Sequence, residues 1–125
     1  MKKEVRTDKA PNPIGPYSQG IISGGRVYVS GQGARDPETG IVPEGIVAQT
    51  HQVLKNIRAI LEAAGTSMDK VAQTTVHLTH MGHFKEYNEV YGQYFSSPYP
   101  ARTTVQATLP GATYLIEVSV IAEIE

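Results

Sequence analysis

The sequence predicts an α+β domain in which two helices cover one face of a mixed β-sheet. Three observations lead there. Residues 45–64 and roughly 84–95 each repeat apolar side chains at helical spacing. The stretches before, between and after them alternate or are rich in β-branched residues over strand lengths. Glycine or proline follows each helical stretch, Gly65 at a C-terminal cap position and Pro98 after the second. The predicted order is ββ(β)αβαββ, a single domain over residues 1–125. A chain of that size buries about two thirds of its unfolded surface and needs no covalent staple.

Residues 1–9 are charged around Val5 and read as an edge strand or a loose end. Ala10-Pro-Asn-Pro-Ile-Gly-Pro16 holds three prolines and cannot be helix, so it is a stiff loop. Tyr17–Ile22 and Arg26–Ser30 are short strands joined by a Ser23-Gly24-Gly25 hairpin turn. Gly31-Gln32-Gly33 allows close backbone approach or a bulge, and Asp36–Gly40 is a turn. The first helix carries the stripe Val47, Leu54, Ile57, Leu61 and Ala64, widened by Val53 and Ile60. Lys70–Leu78 is a strand. The second helix presents Phe84, Tyr87, Val90, Tyr91, Tyr94 and Phe95. A strand starts at Arg102, Leu109-Pro110-Gly111 turns the chain, and Tyr114–Ile124 is a long final strand. One face of that strand (Tyr114, Ile116, Val118, Val120, Ala122, Ile124) is wholly apolar. The other (Leu115, Glu117, Ser119, Ile121, Glu123) is half apolar. Two helices cover only one side of a sheet, so the half-apolar face suggests burial against another subunit. The plainer alternative is a solvated face with a few exposed aliphatics.

Composition excludes several classes of function. There is no cysteine, so neither a disulfide framework nor a thiolate nucleophile is available. The net charge of -1 gives no electrostatic case for nucleic acid or an anionic membrane. No stretch approaches the ~20 apolar residues of a membrane span, and no apolar core follows the N-terminal lysines as in a secretory signal. The expectation is a cytoplasmic protein. Charged residues are 18% of the chain, below the ~25% typical of soluble domains, which also hints at oligomerisation.

The stretch Pro98–Val105 carries the first candidate for chemistry. Two prolines make a rigid corner, and Arg102 sits just past it, sharing a face with Thr104, Gln106 and Thr108. A permanently charged planar fork on a rigid mount suits a carboxylate or phosphate. Taken alone, the plainer reading is a solvated strand-edge arginine. Glu117 lies mid-strand between Ile116 and Val118, a poor place for a carboxylate. It reads as the ion-pair partner of Arg102, as an exposed side chain, or as a general acid/base beside an anion clamp. Tyr17 follows the proline-rich corner, so its hydroxyl points into a site or its ring packs in the core. Ser30 ends a strand as a hydroxyl donor or a turn residue, without the strand-to-helix elbow of a serine hydrolase. His77, His80 and His83 do not share a face, so no metal site is expected.

Together, several short stretches carry a specific likeness. They are Ala10–Gln19, Val29-Ser-Gly-Gln32, Asp36–Gly40, Ala59–Gly65, Phe84 with Asn88 and Tyr91, Pro100-Ala-Arg102, and Ile116-Glu-Val118. In that order, over nearly the whole chain, they resemble the Rid family (YjgF, reactive intermediate deaminases). The resemblance implies a chorismate-mutase-like fold and a homotrimer whose sheets form a central barrel with helices outside. It implies sites in the clefts between subunits and cofactor-free hydrolysis of 2-enamine and 2-imine acids, such as 2-iminobutanoate and 2-iminopropanoate, to 2-keto acids and ammonia. By the same resemblance Arg102 grips the substrate carboxylate and Glu117 orients or activates water. Tyr17, Ser30, Gly31, Asn88 and Thr104 bind substrate. Thr104 stands where many members have cysteine, Gly33-Ala34-Arg35 replaces an Ile-Pro-apolar run, and Ser119 replaces a common acidic residue. Two further readings are a trimeric binder of small carboxylates without turnover and an RNA-directed translation inhibitor.

Overall fold

The structure is a computed structural model and describes residues 1–124. The elements run β1 (Lys3–Val5), β2 (Gly20–Ser23), β3 (Arg26–Gln32), α1 (Ile46–Ala63), β4 (Val71–Leu78), α2 (Phe84–Tyr94), β5 (Ala101–Gln106) and β6 (Ile116–Glu123). They form one mixed six-stranded sheet in the order β1-β2-β3-β6-β4-β5. Only β4 and β5 run parallel, joined through α2. The expected fold class, with two helices and a mixed sheet, is what the chain adopts.

β6 lies at the centre because its alternation suits no other place. Ile116, Val118, Val120 and Ala122 are buried on the helix side, while Glu117, Ser119 and Ile121 on the far side stay partly exposed. Strand interiors covered on one face give this alternation. Val27 and Val29 of β3 and Thr74, Val76 and Leu78 of β4 continue the buried layer. The helices close it with Val53, Leu54, Ile57, Ile60 and Leu61 from α1 and with Tyr87, Val90 and Tyr91 from α2.

Local chemistry explains most element ends. At the β2–β3 hairpin, Gly24 and Gly25 both have positive φ, which a two-residue turn with the strand's own twist demands. α1 ends in a double hydrogen-bonded cap: the Thr66 N–H bonds the Leu61 carbonyl and the Gly65 N–H bonds that of Glu62. Gly65 takes the left-handed conformation.

Three expectations need correction. Val47 is 43% exposed, and Ile46 takes its place in the buried stripe with Gln49 and Thr50. The Thr50 hydroxyl bonds the Ile46 carbonyl one turn back, so a polar side chain is buried at no loss. The final strand starts at Ile116, two residues later than expected, because Tyr114 packs elsewhere. β2 starts at Gly20, three residues later than expected, because Tyr17 and Ser18 belong to the loop.

Gln19 holds that loop. Its side chain is buried, its Oε1 accepts the Thr7 N–H at 2.8 Å, and its Nε2 faces the carbonyls of Thr7, Ala10 and Pro11 at 2.9–3.3 Å. The proline-rich segment lacks N–H groups for a ladder, and one amide side chain ties it down instead. Gln19→Leu leaves these backbone groups unpaired. It is expected to cost about 2–4 kcal/mol in urea denaturation; a loss below about 0.5 kcal/mol would contradict this role for Gln19.

Candidate functional site

Arg102 is the first residue to follow upward from the backbone. On β5 it pairs in register with the buried Thr74 of β4, so its side chain leaves on the helix side of the sheet. There it meets α2. Its Nη1 donates to Asn88 Oδ1 at 2.7 Å. Its guanidinium carbon lies 4.7 Å from the ring centre of Tyr91, 5.5 Å from Tyr87 and 5.6 Å from Phe84. Three aromatic faces and one amide oxygen thus fix an exposed arginine, each cation–π contact contributing roughly 0.5–1 kcal/mol at such a site. The spacing of Phe84, Tyr87, Asn88 and Tyr91 puts all four on one side of α2. Phe84, expected as core, is partly exposed because it walls this arginine.

Two hydroxyls lock the rings. Tyr87 bonds Thr104 Oγ1 at 2.9 Å, and Tyr91 bonds the buried Thr74 Oγ1 at 2.9 Å. Burial raises both phenols above the ordinary 10.0; the threonine bonds and the charge of Arg102 pull the other way and lose. The rings therefore stay neutral beneath the cation. Thr104 reaches the site through Tyr87.

Glu117 lies on the opposite face of the sheet. It pairs in register with His77, and its Oε1 is 3.5 Å from His77 Nδ1. Its carboxyl lies against Gly31: a Cβ there would sit 2.8 Å from Glu117 Cδ. Gly31 has no positive φ, so glycine is needed for this approach alone. The Arg102–Glu117 ion pair, one of the three readings of Glu117, does not form within the chain, because strand alternation sends the two side chains to opposite sides.

Glu117 lines a cleft of about 110 Å³ with Tyr17, Gly31, Arg35 and Tyr114. Ser30 stands behind it: its N–H bonds the Gln19 carbonyl and its hydroxyl the Ser18 carbonyl, which fixes the loop that carries Tyr17. The expected site residues thus fall into two half-sites. Tyr17, Gly31 and Glu117 share the cleft, with Ser30 in support. Arg102, Asn88 and Thr104 share the α2 side of β5. Sequence reasoning missed His77 as the neighbour of Glu117 and Tyr114 as a cleft wall. Strand register would have revealed the first; the adjoining Pro110-Gly111 turn was a signal for the second. His80 is spent in a turn, its Nδ1 accepting the Gly82 N–H.

The raised phenols make a prediction about stability. The unfolded chain ionises its tyrosines first, so what Tyr87 and Tyr91 contribute is intact below pH 10 and is lost as pH rises through 10 toward the folded values. Denaturation midpoints are expected to fall above pH 10, and less steeply in Tyr91→Phe. An identical slope in the variant would contradict the burial of that phenol.

A family profile described as Endoribonuclease L-PSP matches residues 7–124. A RutC family protein of Saccharolobus solfataricus is 48% identical over 124 residues, which cover 98% of each chain. A Mus musculus protein named 2-iminobutanoate/2-iminopropanoate deaminase is 43% identical, over 98% of this chain and 91% of its own length. Among solved structures, RidA of an Antarctic Psychrobacter superposes with a TM-score of 0.93 at 43% identity, covering 98% of this chain and 99% of that one. TdcF of E. coli with bound serine superposes at 0.92 with 35% identity, again covering 98% and 99%. Among the described residues, no helix is long and apolar enough to cross a membrane.

Proposed function

The chain belongs to the Rid (YjgF, L-PSP) family, and from that premise we propose that it hydrolyses 2-imine and 2-enamine acids to 2-keto acids and ammonia in clefts between copies of itself. The observation that carries the reading is the division of the site. A carboxylate clamp (Arg102) and an acid/base (Glu117) are each held in a prepared setting on opposite faces of one sheet. Neither half-site is complete. A closed ring of copies brings the Arg102 half of one against the Glu117 half of the next. A trimer with the sheets forming a central barrel also buries the half-apolar face around Ile121 and Ser119 and the exposed edge strand β5.

The chemistry follows from the groups. Arg102 binds the substrate carboxylate through two parallel hydrogen bonds. That fixes C2 beside a water on Glu117 of the neighbouring copy. Glu117 takes a proton from water as the oxygen bonds C2 and the C=N π pair moves to nitrogen; returned to that nitrogen, the proton completes a carbinolamine. Glu117 then takes the carbinolamine hydroxyl proton and delivers it to nitrogen as the C–N bond breaks and the C=O bond forms, so ammonia leaves and C2 becomes the ketone carbon. Backbone N–H groups near Gly31 and Thr104 offset developing charge. Tyr17 closes the cleft mouth. Asn88 and the three rings hold the fork before substrate arrives, so little reorganisation opposes binding.

The name of the mouse relative supports the reaction class. The serine in TdcF supports a cleft suited to a small carboxylate, and it also favours a second reading in which such a ligand binds without turnover. The family profile's name points to RNA, but a net charge of -1 offers little to a phosphate backbone.

The test adds the purified protein to a threonine or serine dehydratase releasing enamine, with semicarbazide competing for the imine. Wild type is expected to suppress semicarbazone and speed keto-acid release. Arg102→Ala should lose on the order of 100-fold or more in kcat/KM while keeping its oligomeric state. Arg102→Lys should also be poor, since the fork is lost. Full activity in Arg102→Ala would overturn the mechanism. No effect of the wild-type protein, with carboxylates still binding through Arg102, would favour the binder.

A further inference from the structure

Arg35 is the one Lys or Arg that lines the Glu117 cleft among the described residues, and the proposed chemistry gives it no task. It is mounted with care. Ala34 beside it is fully buried. Asn56, buried on α1, donates to the carbonyls of Gly33 and Arg35 at 3.1 and 2.9 Å, which holds the backbone on both sides. The side chain is held as well: Nε donates to Tyr114 Oη at 3.3 Å.

Tyr114 is fixed in turn. A Cβ on Gly33 would lie 2.8 Å from one edge of its ring, and a Cβ on Gly111 2.7 Å from the other. The ring therefore stands between two glycines, which sets the direction of its hydroxyl. Gly33 and Arg35 thus work together: the first admits the ring whose hydroxyl positions the second.

Because Tyr114 engages only Nε, the two terminal nitrogens of the Arg35 fork, with four N–H donors, meet no protein acceptor among the described residues. Glu117 shares the cleft but does not neutralise Arg35; its near neighbour is His77. A positioned, unpaired guanidinium in a cleft fits an anion with planar, bidentate oxygens. Arg102 is assigned to the carboxylate next to the reacting carbon. A second arginine then calls for a second carboxylate on the same small molecule.

Building on the deaminase reading, we propose that Arg35 is a specificity-determining residue that binds the distal carboxylate of a substrate diacid. This chain then favours four- and five-carbon 2-imino dicarboxylates over 2-iminopropanoate and 2-iminobutanoate. Such imines arise when an oxidase takes the Cα hydrogen as hydride and an amino proton from an acidic amino acid, leaving a C=N double bond, so a reaction of that class supplies the substrate.

The experiment compares imines made in place by amino-acid oxidases, from aspartate or glutamate and from alanine, with semicarbazide as trap. The readout is the ratio of kcat/KM for diacid over monoacid. Wild type is expected to favour the diacid by about tenfold or more, and Arg35→Ala to lower the ratio on the order of 30-fold. Arg35→Lys, with charge but no fork, should fall between. A ratio unchanged in Arg35→Ala overturns the proposal, including the case in which both rates fall together because Arg35 only supports the fold. A binding arm separates this from the reaction itself: 2-oxoglutarate and pyruvate are titrated into wild type and Arg35→Ala by calorimetry. Tighter binding of 2-oxoglutarate that depends on Arg35 upholds the assignment even if no imine is hydrolysed, an outcome that would sink the deaminase reading alone. Equal binding of both acids, untouched by the substitution, overturns it.

Discussion

Side-chain alternation along a β-strand governs this molecule more than any single contact. β4 is the reference. It carries Thr74 inward and His77 outward, and it pairs Arg102 with the first and Glu117 with the second. A one-residue slip in either pairing would put both groups on one face and allow a simple ion pair. The native register forbids that pair. It keeps a permanent cation and a carboxylate apart within the chain, each free for another partner. The buried run Ile116, Val118, Val120 and Ala122 holds the register, because a slip would turn four apolar side chains to the outer face.

Each half-site is prepared by different physics. On the helix side, packing does the work: three aromatic rings form the bed for Arg102, and threonine hydroxyls set the angles of the two tyrosines, whose phenols burial keeps neutral. On the far side, absence of a side chain does the work. Gly31 lets Glu117 lie against the strand, and Gly33 and Gly111 let Tyr114 stand between them. Gln19 and Asn56 then tie the loops that carry Tyr17 and Arg35 to the buried layer. Polar side chains in the core serve the cleft here, since every one of these amides bonds loop backbone.

Much of this could be read from the chain. The alternation of residues 116–123, the Gly24-Gly25 turn, the capped first helix and the proline corner before Arg102 are all local signals, and each fixed its element. The face that Arg102 takes was not legible. One face of β5 is wholly polar (Arg102, Thr104, Gln106) and the other mixed (Thr103, Val105), so the hydrophobic pattern would turn Arg102 outward; the parallel pairing with β4 that turns it to the helix side is a non-local fact. Val47 and Ile46 are interchangeable to a periodicity; only packing against the sheet separates them. Gln19 looked like a strand residue because its contacts run to carbonyls 8–12 residues earlier. The residues that the family resemblance points to lie far apart in the sequence, and only the fold separates them into two groups, Arg102, Asn88 and Thr104 on one face of the sheet and Tyr17, Gly31 and Glu117 at the cleft on the other.

Mixing two inactive variants tests that division most directly. Arg102→Ala and Glu117→Gln, carried on differently tagged copies and co-expressed in equal amounts, are purified as mixed oligomers and assayed against each variant alone. If the site lies between copies, each mixed trimer has about one cleft in three that unites an intact Arg102 with an intact Glu117, and about a third of wild-type activity returns. Activity no higher than that of the single variants, in oligomers shown to be mixed, would mean that one chain supplies both groups, contrary to the opposed faces of β5 and β6.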